Sequence, residues 1–147
     1  MTPRRAEVQT MKRGFVLHVL PALLYVLVLF WLGAIHTGFD LSESFIPQDK
    51  VKHFGAFALL VFLLLRALRY EFPAAANGRL VGASIVGSSL VGALLELWQL
   101  LFPYRSAEVA DWVADTLGAL LAGFLASQWL RRRCGRSGSA PRASASD

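Results

Sequence analysis

Charge is scarce in this chain. Only 17% of its 147 residues are Asp, Glu, Lys or Arg, whereas soluble domains carry about 25%, so a water-soluble globular domain is a poor match. Cysteine is nearly absent. Cys134 stands alone, which excludes an internal disulfide and any multi-cysteine zinc set; it is expected to be a free thiol in the C-terminal tail. The sequence has no phosphate-binding glycine loop, no Gly-x-Ser-x-Gly and no internal repeat, and so lacks the usual signatures of nucleotide hydrolases, serine hydrolases and solenoids. What is present instead is apolar: 55% of residues are hydrophobic and the mean hydropathy is +0.49.

The apolar residues are blocked into four runs, roughly Gly14–Ile35, His53–Leu68, Leu80–Leu101 and Val109–Leu130. A bilayer core asks for about 20 residues of helix. Three runs meet that length. The second is short, and Arg66 and Arg69 can extend it because their long stems carry charge to the interface. The expected fold is all-α, a polytopic bundle of four transmembrane helices; a three-span alternative makes His53–Leu68 re-entrant. The first run follows Arg4, Arg5, Lys12 and Arg13 but exceeds the usual ~7–15 residues of a signal h-region, and it reads as a retained anchor. The division is a basic cytoplasmic segment 1–13, a membrane domain 14–130 and a basic tail 131–147, disordered from Gly135 onward.

Lysine and arginine decide the orientation. The N-terminal segment, the Arg66–Arg79 junction and the tail collect twelve of the fifteen, and the other side holds Lys50, Lys52 and Arg105. Both termini are therefore expected in the cytoplasm. This distribution accounts for the net charge of +5 without nucleic acid. Trp31, Trp98, Trp112 and Trp129 fall near helix ends, where amphipathic rings favour headgroup level.

Polar residues inside such runs are costly, about 2.5–3.5 kcal/mol per charge on insertion scales. They form two clusters, Asp49-Lys50-Val51-Lys52-His53 and Glu96 with Gln99, Arg105, Asp111 and Asp115. Glu96 and Asp115 each lie about six residues from the expected outer helix end, about 9 Å deep at 1.5 Å per residue. Glu96 and Gln99 are three apart and Asp111 and Asp115 four apart, so each pair shares a helix face. The two faces would line a hairpin around the Phe102–Glu108 turn. The plainer alternative is that Glu96 and Asp115 only hold helices together, that Asp111 answers a helix dipole, and that Asp49 and Lys52 are solvated loop residues. Gly78/Gly82, Ala83/Gly87, Ser88/Gly92, Ala114/Gly118 and Ala119/Gly123 give small-xxx-small faces for helix packing or homo-oligomerisation. Pro21 should kink the first helix. His18 and His36 are lone histidines near helix ends.

In order along the chain, Asp49-Lys50-Val51-Lys52-His53-Phe54, Glu96-Leu97-Trp98-Gln99, Arg105 and Asp111-Trp112-Val113-Ala114-Asp115-Thr116-Leu117-Gly118 resemble the VanZ-like family, named for a protein associated with resistance to the glycopeptide antibiotic teicoplanin. The resemblance covers roughly residues 15–130 and implies an envelope-associated membrane protein. Position 115 is Asp where the family usually has Asn. A third acid beside Glu96 and Asp111 adds like-charge repulsion, so a retained proton or a bound cation is expected there.

Three functions compete. In the first, an outward-facing pocket binds a lipid headgroup or a lipid-linked envelope precursor. Lys50, Lys52 and Arg105 would pair with phosphate, and Glu96, Gln99 and Asp111 would take hydroxyls or amides. In the second, an enzyme uses Glu96 or Asp115 as general acid or base and His53 as second proton carrier, with Arg105 stabilising anionic charge. A divalent cation on Glu96, Asp111 and Asp115 is an option there. The third is a small transporter or assembly partner, for which four helices are few.

Overall fold

The computed structural model describes residues 13–35, 48–103 and 105–137. Arg4, Arg5, Lys12 and His36, the side chain of Cys134 and the last ten residues lie outside the described set. The described chain is all helix and turn, without a strand. Four helices follow in order: α1 (Leu20–Ala34), α2 (Gln48–Glu71), α3 (Asn77–Gln99) and α4 (Val109–Ser137).

Three of these, α2, α3 and α4, are long and apolar enough to cross a membrane. The first apolar run behaves differently. It divides into a helical stretch at 13–18 and the 15-residue α1, with a turn at Val19 between them. Pro21 is the reason. It has no N–H to donate to Leu17, so the ladder loses a bond one turn before it, and the proline itself stands in the first turn of α1. The expected kink falls here: Val19 keeps helical dihedrals and its N–H still donates to the carbonyl of Phe15.

The short second run proves to be the 24-residue α2, a continuous helix long enough to cross a membrane. It gains its length at the start, where Asp49, Lys50 and Lys52 are helical. Asp49 in the first turn suits the positive end of the helix dipole. The loop reading of Asp49 and Lys52 is therefore corrected. At the other end α4 runs to Ser137, so the first residues of the basic tail are helical too.

Helices α2, α3 and α4 pack together, and α1 leans on α2 and α3 without touching α4. Phe57, Leu60, Leu29 and Leu95 fill the α1–α2–α3 junction. Val61, Ala119 and Ala122 close α2 on α4, and Leu65, Leu80, Val81, Ala126 and Leu130 close the far end. The surface is inverted relative to a soluble protein. Leu27, Leu90, Leu97, Leu121 and Phe124 are exposed while Ser84, Ser88 and Asp115 are fully buried, the partition expected where lipid is the solvent.

Glycine sets the helix spacing. A Cβ on Gly118 would run into the main-chain carbonyl of Phe54, and one on Gly123 into Ile85. Both glycines are spent on crossings inside this chain. Gly78 and Gly82 have nothing within 4 Å of an added Cβ, so their face of α3 is open. The indoles also tie helices: Trp98 donates to the carbonyl of Phe30 at 3.1 Å, and Trp112 donates to that of Ser89 at 3.1 Å.

Candidate functional site

The first turns of α2 and α4 lie side by side, and their polar residues mesh because both repeat at helical spacing. Lys50 and His53 are three apart on α2; Asp111 and Asp115 are four apart on α4. Lys50 Nζ donates to Asp111 Oδ1 at 2.7 Å and to Glu108 Oε2 at 3.0 Å. One turn deeper, His53 Nδ1 lies 3.0 Å from Asp115 Oδ1, and His53 Nε2 lies 4.0 Å from Asp111 Oδ2. Crossing at Gly118 brings these turns together, since Gly118 touches Phe54, the neighbour of His53. Asp115 also needs Gly92 on α3: a Cβ there would stand 2.7 Å from Asp115 Oδ2.

Glu96 approaches from α3. Its Oε2 accepts from the backbone N–H of Glu108 at 2.9 Å, immediately ahead of α4. A carboxylate at that position satisfies a helix-terminal donor and complements the dipole. Glu96 Oε1 and Asp115 Oδ2 are buried without a hydrogen-bond partner. Buried polar atoms are rarely left so, and here each orphaned oxygen is a place for a proton or a cation. His53, Glu96 and Asp115 each present one ligand atom within 4.8 Å of the others, and so do Asp49, His53 and Asp111. The all-acid trio of Glu96, Asp111 and Asp115 is not such a group. Imidazole joins each set, and mixed nitrogen and oxygen donors suit a transition metal better than calcium.

On the far side of His53 opens a cavity of about 350 Å³ between α1, α2 and α3. Its polar wall carries Asp49, Lys52, His53, Gln99 and Arg105; its apolar wall carries Leu29, Leu32, Phe57 and Leu95. The expected single nest is therefore two compartments. Lys50, Asp111 and Asp115 form an ion-paired layer behind His53, with Glu96 beside it on the backbone N–H of Glu108, while His53, Gln99 and Arg105 face the cavity.

Two expected anion binders already have partners within the protein, although Arg105 Nε is buried without one. Lys50 is held by two carboxylates. Arg105 Nη2 donates to the carbonyl of Leu32 at 3.3 Å and also to that of Ile35, which anchors the C-terminal end of α1. Lys52 is the lysine that lines the cavity. Substituting Arg105→Ala should cost about 1.5–3 kcal/mol, the range for charge-assisted hydrogen bonds, and speed amide exchange at residues 32–35. Unchanged exchange there would remove Arg105 as the anchor.

Sequence reasoning passed over Glu108, although it stands three residues before Asp111 and so shares its face. It also passed over Leu29 and Leu32, for which no sequence signal exists, because they meet the site only through the packing of α1.

A family model described as VanZ/LLP1 matches residues 10–131. No curated protein and no solved structure matches the chain.

Proposed function

This chain belongs to the VanZ/LLP1 family, and from that premise we propose that it is a bacterial inner-membrane protein whose outward-facing cavity binds a polar lipid headgroup or a lipid-linked envelope precursor. In this reading residues 13–34 supply a fourth crossing ahead of α2, α3 and α4. Both termini lie in the cytoplasm and the His53 cavity opens to the outer leaflet, in keeping with the lysine and arginine count. Occupancy would alter envelope homeostasis or the access of glycopeptide antibiotics to their target.

One observation carries the proposal: the cavity is amphipathic. Lys52, His53 and Gln99 face Leu29, Leu32 and Leu95 across about 350 Å³, a size that suits a small ligand and a division that suits a headgroup joined to a chain. The ammonium of Lys52 supplies the charge for phosphate, Gln99 supplies amide contacts, and the buried acid layer holds His53 in place. The open Gly78/Gly82 face of α3 is the surface for a homo-oligomer.

The test uses the purified protein in phosphatidylcholine nanodiscs doped with a polyprenyl phosphate. Lys52→Glu is expected to weaken binding of the doped lipid at least tenfold, and Leu32→Trp, which fills the cavity, to do the same. Both side chains are surface-accessible, so the fold should persist. Wild-type affinity in both variants would end the proposal.

A second reading has one observation in its favour. An ionised Asp115 would accept a hydrogen bond from His53 Nδ1–H and leave Nε2 as a base, the orienting arrangement used in acid–base catalysis. The protein would then act on the lipid-linked substrate, with a cation at His53, Glu96 and Asp115 as an aid. Chelator-sensitive turnover of an envelope lipid, lost in His53→Gln while binding persists, would favour the enzyme over the binding module.

A further inference from the structure

The opposite end of the bundle holds a second and larger cavity, about 810 Å³. It lies where α2 ends and α3 begins. Arg66 is thirteen residues beyond His53 on α2, about 20 Å along the axis, so the two cavities are separate sites. The body of the second is apolar, with Phe62, Leu65, Leu125 and Leu130, and its rim carries Arg66, Arg69 and Arg133.

No acid lines this cavity. Among the described residues, none of the three guanidinium groups pairs with a carboxylate. Two of them are nonetheless held in position. Arg66 Nε donates to His18 Nδ1 at 3.2 Å, and His18 is itself stacked on Tyr70 at 5.1 Å. Arg133 lies over the Trp129 ring at 4.0 Å. Asn77, the first residue of α3, also lines the cavity. That helix start has no side-chain cap and no acid in its first turn, so its terminal N–H groups add to the positive field. Three cations with no carboxylate partner among the described residues, set above an apolar trough, suit an anion that carries a hydrocarbon chain.

We propose that this cavity is a binding site for an anionic phospholipid of the adjacent leaflet. Its phosphate lies among Arg66, Arg69 and Arg133, and an acyl chain runs over Phe62 and Leu125. Guanidinium groups suit phosphate oxygens because two parallel N–H donors can engage them at once. In the orientation proposed above this is the cytoplasmic leaflet, but the site depends neither on that orientation nor on the His53 cavity.

The experiment is lipid retention by the full-length protein, released from nanodiscs of mixed phosphatidylcholine and phosphatidylglycerol and read by native mass spectrometry. Wild type is expected to retain phosphatidylglycerol at least tenfold over its share of the mixture. The triple variant Arg66→Gln, Arg69→Gln, Arg133→Gln is expected to lose that enrichment. A charge-matched triple outside the cavity, Arg79→Gln, Arg131→Gln, Arg132→Gln, is expected to keep it, and so is Lys52→Glu at the other cavity. If the first triple fails to fold, Arg69→Gln alone is expected to reduce enrichment at least threefold. Equal loss in both triples would mean a diffuse basic surface and overturn the site. Unchanged enrichment in the cavity variants would overturn it too, as would displacement of the lipid by millimolar inorganic phosphate, which would make the ligand a bare anion.

Discussion

Gly118→Ala is expected to destabilise the bundle by about 2 kcal/mol and to pull His53 away from Asp115. Elsewhere on an exposed helix the same change stabilises by roughly 1 kcal/mol, because alanine is the better helix former. Here the added Cβ meets the carbonyl and Cα of Phe54. A clashing side chain could rotate away, but main chain cannot, so α2 and α4 have to separate. Overpacking costs about 1–3 kcal/mol and occasionally more, which outweighs the propensity gain. Gly55→Ala is the control: it lies next to Phe54, has nothing within 4 Å of an added Cβ, and should be neutral or stabilising. Thermal unfolding in detergent micelles separates the two. If Gly118→Ala melts at or above the wild-type temperature, the close crossing of α2 and α4 is not what builds the site.

Asp115→Ala is expected to be the most damaging single truncation in the polar layer, with a loss of about 3–5 kcal/mol, the range for a buried ion pair stripped of one partner. Asp115 is fully buried and lies 3.0 Å from His53 Nδ1, and the His53 side chain is itself only 14% exposed. Removing the carboxyl leaves the largely buried imidazole without its acceptor on Nδ1 and opens a void beside Gly92. Asp115→Asn keeps an amide oxygen where Oδ1 stands, so it should lose far less, about 1 kcal/mol. Urea or SDS unfolding of both variants measures the difference. Equal losses would mean that the charge of Asp115, and not the hydrogen bond to His53, holds the layer. In the enzyme reading Asp115→Asn has a further consequence. It binds lipid as wild type does but turns it over more slowly, because a neutral amide stabilises the imidazolium less.

The polar positions were legible because they violate a rule. Glu96, Asp111 and Asp115 stand out in runs where almost every other residue is apolar, and their spacing at three and four residues places them on shared faces. The family pattern pointed to the same positions, and the VanZ/LLP1 match covers them. Their partners were not legible. Lys50 and Arg105 both resembled phosphate ligands, yet one is neutralised by Asp111 and Glu108 and the other is turned toward Leu32 and Ile35. Which anion a long cationic side chain meets depends on the rotation of its helix and on its neighbours, and neither is written in local spacing. Pro21, by contrast, was legible: a missing donor at a known position disturbs the helix in the turn before it, at Val19.

Hydropathy and charge are properties of the chain read in one dimension, so helical class, the places of α2 to α4 along the chain and their preference for a membrane follow from composition and order, because burying peptide groups in lipid leaves a helix little choice. The division of the polar residues into an ion-paired layer and an open cavity follows from contacts in three dimensions. It arises where Gly118 and Gly92 let backbone and carboxylate approach closely, and where α1 closes one side with Leu29 and Leu32. A glycine looks the same in a sequence whether it faces open space, as at Gly82, or a neighbouring carbonyl, as at Gly118; only the crossing helix makes the difference.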